Sequence, residues 1–271
     1  MVRKVSDSPY DGTVYYRQRS VLVLAPSFVA PLGDRTHQRA SIRCMVACSG
    51  MFEVETAHSG SLSARAVLMS PAAGCLRIEA HNVDFALFDF AVASAEYLAL
   101  QTRMQQGVLQ ILEPAMFDPL TPRLLQGQQG ELSCYELGLL MQSVVEALTG
   151  EPLQPLQLDE RVMQVMGLIE KLPLAEIKLP RLASAVNLSA ERLRHLFKAA
   201  TGSTLSQYAR TTAVWRALAL LKDETRTITD VSHTAGFHDV SHFYRVYSDL
   251  FGISLSEKNN IRKYRRVRCF E

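Results

Sequence analysis

The sequence is short of several things, and each shortage removes a class of protein. It holds five cysteines, Cys44, Cys48, Cys75, Cys134 and Cys269, an odd number with no Cys-x-x-Cys pair. A dense disulfide framework is therefore not written into the spacing, and a reducing cytoplasm is the expected compartment. Cys44, Cys48 and Cys75 read as small apolar core residues, with a redox switch as the alternative use. No apolar run approaches the roughly 20 residues that cross a bilayer, so no membrane partner is expected. The start, Met1-Val2-Arg3-Lys4-Val5-Ser6-Asp7, lacks the apolar core of a signal peptide, and export is not expected. No glycine-rich phosphate loop, paired-carboxylate motif or Ser-His-Asp constellation can be defended, so no catalytic residue is assigned. His37, His58 and His81 stand isolated, without a His-x-His pair, so neither a metal nor a cofactor is expected.

Net charge is also scarce, at +2 over 271 residues, but its distribution is uneven. Residues 1–150 carry 11 Lys+Arg against 14 Asp+Glu, whereas residues 151–271 carry 18 against 13, so the halves stand at −3 and +5. The excess in the second half suits a phosphate-bearing partner and equally an ordinary solvated surface. With 48% hydrophobic and 21% charged residues, the chain is globular and long enough for two cores.

The first half reads as short apolar or alternating strands at 21–24, 41–47, 51–56, 66–69, 76–80 and 85–92. Turn-rich pieces separate them, among them Pro31-Leu32-Gly33-Asp34, Cys48-Ser49-Gly50 and His58-Ser59-Gly60-Ser61. Such a series suggests an antiparallel barrel or sandwich. Residues 94–107 then read as a helix capped by Ser94. A longer helix over 132–148 carries Leu137, Leu140, Met141, Val144, Val145 and Leu148 on one stripe, which packs on its own domain or meets a second subunit. Thr149-Gly150-Glu151-Pro152-Leu153-Gln154-Pro155-Leu156 has the composition of an interdomain linker.

From Asp159 onward the pattern is helical, with breaks near Pro173, Asn187, Gly202, Asp223 and Gly236, and it repeats. In the first copy a short helix over 179–186 meets the turn Asn187-Leu188-Ser189 and a second helix over 190–200. In the second, Thr227 and Asp230 form a capping pair, Gly236 turns, Asp239 caps, and a helix runs over 240–250. Each copy is a helix-turn-helix. Leu193, Leu196, Phe197 and Ala200 form the buried stripe of the first, leaving Glu191, Arg194, His195 and Lys198 outward. Phe243, Val246, Tyr247 and Leu250 do the same in the second, leaving Ser241, Tyr244, Arg245 and Ser248. Each outward face read alone is either a solvated helix surface or a groove reader, because Arg offers a bidentate pair to guanine O6 and N7 while Lys, Ser and His reach phosphates or base edges. A helical pattern over 205–222 joins the copies; at 1.5 Å per residue it spans about 27 Å. Successive major-groove faces lie about 34 Å apart, so such a rod sets two helices on one side of a duplex.

The stretch over about 161–268 resembles the DNA-binding domain of AraC/XylS-type transcription regulators. The resemblance rests on Leu182-Ala183, Leu188-Ser189, Leu193, Leu196-Phe197-Lys198, Thr201-Gly202, Tyr208, Arg216-Ala217, Leu220-Leu221 and Ile228. It continues through Gly236-Phe237, Asp239, Ser241-His242-Phe243, Arg245 and Phe251-Gly252-Ile253-Ser254. It implies a seven-helix domain in which Glu191, Arg194 and His195 read bases in the first unit, and Ser241, His242, Tyr244 and Arg245 in the second. Helix-start amides and Arg210 would hold phosphates. It further implies an N-terminal cupin-like barrel for an effector or for dimerisation.

The chain departs from the pattern at Ser232, where alanine is usual, and at Trp215, often acidic. Leu255 replaces a proline, and the basic close Arg262-Lys263-Tyr264-Arg265-Arg266 is displaced. That basic tail is read as a frayed, solvated end, with phosphate contact as the alternative.

The expected architecture is α+β in two domains: a cupin-like antiparallel β-barrel with helices over 1–149, a linker over 150–158, and an all-α DNA-binding domain over 159–268. The expected partners are double-stranded DNA, RNA polymerase, and a small-molecule effector or regulatory protein, with a homodimer as a further use of the 132–148 stripe. A cupin-type enzyme with a DNA-targeting domain, and an oligomeric interaction protein, are the rival functions.

Overall fold

The computed structural model describes residues 10–17, 20–31, 41–221, 223, 225–251 and 264–269. The expected turn Leu32-Gly33-Asp34, His37, Gly252-Ile253-Ser254, Leu255 and Arg262-Lys263 lie outside the described residues.

The first half forms strands β1 (Gly12–Arg17), β2 (Ser20–Ala25), β3 (Phe28–Pro31), β4 (Ser41–Ala47), β5 (Phe52–Thr56), β6 (Gly60–Ala64), β7 (Ala66–Met69), β8 (Cys75–Ala80), β9 (Phe85–Ala91) and β10 (Leu109–Ile111). They assemble with one late strand, β11 (Tyr264–Cys269), into two sheets, ordered β10-β7-β4-β9-β2-β1-β11 and β3-β8-β5-β6. Among the described residues the hydrogen-bond ladders thus give two packed sheets rather than one closed barrel.

Burial explains the sequence patterns. In the four-stranded sheet β5 alternates, with Phe52, Val54 and Thr56 inward and Glu53 and Glu55 outward, as expected of a sheet with one wet face. In the larger sheet β2, β4 and β7 are buried along their whole length, because both faces are covered. One face meets the smaller sheet through Met45, Val67, Leu87, Phe52 and Ile78. The other carries Leu22, Cys44, Leu68 and Phe88. Against that second face pack α1 (Ala95–Arg103), α2 (Thr121–Gln128) and α3 (Cys134–Thr149).

Helix α1 starts where its cap predicts, the Ser94 hydroxyl accepting the Tyr97 N–H. Helix α3 has a full capping box: the Ser133 hydroxyl accepts the Glu136 N–H while the Glu136 carboxylate accepts the Ser133 N–H. All six residues of its apolar stripe are buried within this domain, so the stripe is an intramolecular core face. The α2 segment and the 3-10 stretch Pro114–Leu120 were not expected as helical. Pro114 and Pro122 sit at helix starts, where proline is tolerated.

After an irregular stretch over 151–159 come α4 (Glu160–Lys171), α5 (Leu179–Ala185), α6 (Ala190–Thr201), α7 (Leu205–Leu220), α8 (Ile228–Thr234) and α9 (Val240–Phe251). These are six of the seven helices that the resemblance implies; a seventh after α9 would fall outside the described residues.

The tail corrects the sequence reading. Residues 264–269 are neither a solvated end nor part of the helical domain. They form β11, which pairs in parallel with β1 from Gly12↔Tyr264 to Arg17↔Cys269. Cys269 is buried and disulfide-bonded to Cys134, 135 positions earlier. An odd cysteine count concealed this pair. Of the remaining thiols, Cys44 is fully buried while Cys48 and Cys75 are partly so. Burial pushes the Cys75 thiol up from its ordinary value and Cys48 up to about 11, which fits packing better than reactivity.

Candidate nucleic-acid interface

The two helix pairs repeat down to individual backbone hydrogen bonds. At the end of α5, Asn187 N–H donates to the Ser184 carbonyl (3.2 Å) and Leu188 N–H to that of Ala183 (3.0 Å). At the end of α8, Gly236 N–H donates to His233 (2.9 Å) and Phe237 N–H to Ser232 (3.0 Å). Both turns need a left-handed residue, supplied by Asn187 (φ 54°) and Gly236 (φ 86°). Ser232 stands where alanine is usual in the family it resembles; its fully buried hydroxyl is satisfied by the Ile228 carbonyl at 2.7 Å.

The following helices are capped alike. The Ser189 hydroxyl accepts the Arg192 N–H at 3.2 Å, and the Asp239 carboxylate accepts the His242 N–H at 2.6 Å. A hydrogen bond from His238 and that amide hold the Asp239 carboxyl below its usual range. The Thr227–Asp230 capping box on α8 forms as read from the sequence.

With those starts fixed, each helix buries one stripe and exposes another. On α6, Leu193 and Phe197 are fully buried, and Phe197 meets Tyr208 of α7 edge-on at 5.3 Å. Glu191, Arg194, His195 and Lys198 are exposed, and His195 Nε2 lies 4.0 Å from the Glu191 carboxylate. Arg194, His195 and Lys198 rim a cleft of about 570 Å³ that Thr204 and Ser206 close from the start of α7, over a floor including Leu182 and Leu205. Three nitrogen-bearing side chains and two hydroxyls beside a helix N-terminus suit an anionic backbone. Arg210 is exposed one turn further along α7.

On α9, Phe243, Val246 and Tyr247 are buried while Ser241 and Arg245 are exposed and Tyr244 is half-buried. His242 differs from its neighbours. Its Nδ1 accepts the His238 N–H at 3.3 Å, and its ring packs edge-on against Phe237, so the turn engages it.

Helix α7 joins the units over 16 residues, about 24 Å of rise, slightly shorter than the sequence pattern. Its register is fixed by Arg216, whose guanidinium donates to the carbonyls of Leu172 (2.6 Å), Glu170 (2.6 Å) and Ile169 (3.3 Å) at the end of α4. Trp215 packs edge-on against Tyr16 of β1, centroids 5.9 Å apart, in one apolar cluster with Val21, Val23, Val214 and Leu218. The bridging helix therefore rests on the larger sheet. Trp215, at a position often acidic in the family that the sequence resembles, is buried against that sheet rather than turned to water. The positioning roles of Tyr16, of Arg216 and of Arg268, whose guanidinium donates to the Leu221 carbonyl at 3.4 Å, were not legible in the sequence; only the departure at Trp215 signalled the contact.

Comparison with known proteins agrees with this geometry. Residues 182–260 match the family described as "Helix-turn-helix domain". The chain is 37% identical over 70 residues to the HTH-type transcriptional activator RhaR of Pectobacterium atrosepticum, 26% of this chain and 25% of that protein. It is 30% identical over 130 residues to the transcriptional activator NphR of a Rhodococcus species, 48% of this chain and 38% of that protein. The match therefore spans less than half of either relative. An apo variant of ToxT from Vibrio cholerae shares the fold with a TM-score of 0.54 at 10% identity, over 90% of this chain and 98% of that one. A second ToxT structure, described as bound to an unsaturated fatty acid, gives 0.50 at 12% identity over 90% and 96%.

Proposed function

We propose that this chain, whose C-terminal helical part is a DNA-binding domain of AraC/XylS type, is a sequence-specific transcription regulator that reads two adjacent major-groove segments. The observation that carries the reading is the duplicated helix-turn-helix, alike in its turn hydrogen bonds and exposed faces and joined by one braced helix. In this reading Glu191, Arg194 and His195 meet base edges in the first unit, and Ser241, Tyr244 and Arg245 in the second. Lys198 and Arg210 meet phosphates. His242 orients the second turn rather than reading a base. Residues 1–149 with β11 form the regulatory domain, 150–158 the linker, and the helices from α4 to α9 the reader. A small-molecule effector or a regulatory protein acts through the regulatory domain, and RNA polymerase is the partner at the promoter. The relatives matched are regulators, and neither the enzyme nor the assembly alternative gains support from them.

The test is enrichment of duplexes from a random pool by the full chain. The expected outcome is a bipartite site whose halves lie about one helical turn, roughly 10 bp, apart. Recovery of no sequence above competitor DNA would refute the reading.

A further inference from the structure

We infer that the Cys134–Cys269 pair is a reversible thiol–disulfide exchange site whose redox state sets how firmly the DNA-reading helices are held on the N-terminal sheet. The DNA role in this inference rests on the function proposed above; the redox-dependent release of β11 does not.

The two cysteines lie in unlike surroundings. Cys134 is the first residue of α3 and is exposed; Cys269 closes β11 and is buried. Their Cα atoms are 5.3 Å apart. The bond thus joins an exposed residue to a buried one, so an external thiol meets the pair from the Cys134 side. The amides at the start of α3 also favour a thiolate at Cys134 once the bond is opened.

The bond holds the N-terminal sheet to the reader. The ring it closes contains both helix-turn-helix units, since they lie between residues 134 and 269. The residue before Cys269 reaches the reader directly: the Arg268 guanidinium donates to the Leu221 carbonyl at the C-terminal end of α7, at 3.4 Å. Arg265 of the same strand donates to the Gln129 carbonyl at 2.7 Å. The adjacent strand β1 carries Tyr16, on which Trp215 of α7 rests. The β1–β11 edge is therefore the strut beneath the bridging helix, and the disulfide is the covalent bond fastening its outer strand. Both reading faces are open with the bond formed, since Arg194, His195, Ser241 and Arg245 are exposed. The fastened form is thus pre-organised for two-site binding, and release adds freedom that binding must remove.

Exchange proceeds in two steps. A low-molecular-weight thiol, as thiolate, attacks Cys134 Sγ; the disulfide breaks, and the electron pair leaves on Cys269 Sγ, which takes up a proton. A second thiol attacks the mixed disulfide, freeing Cys134 as a thiol and leaving the reagent as its own disulfide. Two thiols supply two electrons and two protons. The reverse reaction takes an oxidised thiol reagent of the same class.

The test uses the full chain with dithiothreitol as reductant and glutathione disulfide as oxidant. Backbone amide exchange over 12–17 and 264–269 is followed with binding to a duplex recovered in the enrichment above. Reduction is expected to speed exchange in both strands at least about tenfold and to weaken DNA binding by about fivefold or more; glutathione disulfide restores both. Cys134→Ala is expected to match the reduced protein and to ignore dithiothreitol. Should that variant not fold, wild-type protein reduced and alkylated with iodoacetamide takes its place. Unchanged exchange on reduction overturns the inference whatever the DNA result, and altered exchange with unchanged affinity overturns the coupling to the reader. A dithiothreitol response that persists in Cys134→Ala assigns the effect to another cysteine and overturns it as well. Failure to recover any duplex counts against the proposed function, while the exchange measurement still decides whether the strand is released.

Discussion

Replacing Gly236 with alanine tests whether the second turn is as tightly built as its geometry indicates. Gly236 sits at φ 86°, and a Cβ there would lie 2.3 Å from the Leu174 nitrogen and 2.8 Å from the Pro173 carbonyl carbon. Those are backbone atoms, and Leu174 N–H donates to the Ala235 carbonyl at 3.1 Å, so the neighbour cannot give way without loosening that bond. The left-handed conformation costs alanine about 1–2 kcal/mol, and overpacking adds about 1–3 kcal/mol. The expected loss is about 2–5 kcal/mol, which for a small helical domain lowers the melting temperature by roughly 10 °C or more. Gly150 supplies the control: its φ is 75°, but nothing lies within 4 Å of its Cβ position, so Gly150→Ala carries only the conformational cost of about 1–2 kcal/mol. The assay is thermal unfolding followed by circular dichroism and by the single tryptophan, which lies on α7. Equal shifts in the two variants would refute the packing argument.

Four further outcomes are expected. Trp215→Ala removes the aromatic contact with Tyr16 and should cost about 3–5 kcal/mol, read as a lower urea midpoint; a loss under about 1 kcal/mol would mean that α7 does not rest on the sheet. Arg194→Ala should weaken binding to the enriched duplex by about 1–3 kcal/mol and relax preference at one base pair, while Arg210→Ala should weaken all duplexes alike and lower the salt slope by about 1; the reverse pattern would exchange their roles. The Asp159 carboxyl is held down to about 2 by hydrogen bonds from the Arg161 side chain and backbone. Its contribution is therefore fully present above its ordinary value near 4, is lost as pH falls through about 2, and vanishes in Asp159→Asn; an NMR titration midpoint near 4 would show the pair to be absent. Thr227→Ala should destabilise α8 by about 1 kcal/mol through loss of the capping box, checked by amide exchange over 228–234.

Legibility in the sequence followed the physics of each region. The helices from α4 to α9 were readable almost to the residue because caps, left-handed turns and amphipathic stripes are local signals, and Ser189, Thr227, Gly236 and Asp239 each mark one. The strands β4 and β7 were bounded correctly because buried apolar runs end sharply at turns. By contrast β6, with the sequence Gly-Ser-Leu-Ser-Ala, reads as a turn: it is a short, mostly exposed edge strand with little to bury. Strand β11 was unreadable for a different reason. Its basic sequence, Tyr-Arg-Arg-Val-Arg-Cys, resembles a solvated end, and only a partner some 250 positions earlier in the chain makes it a strand. The outward residues of α6 were placed correctly as exposed, as were Ser241 and Arg245 of α9, whereas Tyr244 and Ser248 are half-buried and the engagement of His242 by the turn depends on contacts that spacing does not encode.

The parallel pairing of β1 with β11 also bears on how the molecule can be divided. The linker over 150–158 looks like the natural place to separate two independent modules, yet a cut there takes an edge strand from one half and leaves it without a partner in the other. The shortened N-terminal half would present β1 as a bare sheet edge, including Tyr15 and Tyr16, and an uncovered edge is a template for pairing with other chains. Aggregation of such a fragment would reflect the missing strand rather than an unstable fold. A separable regulatory module has to carry its last six residues from the far end of the chain.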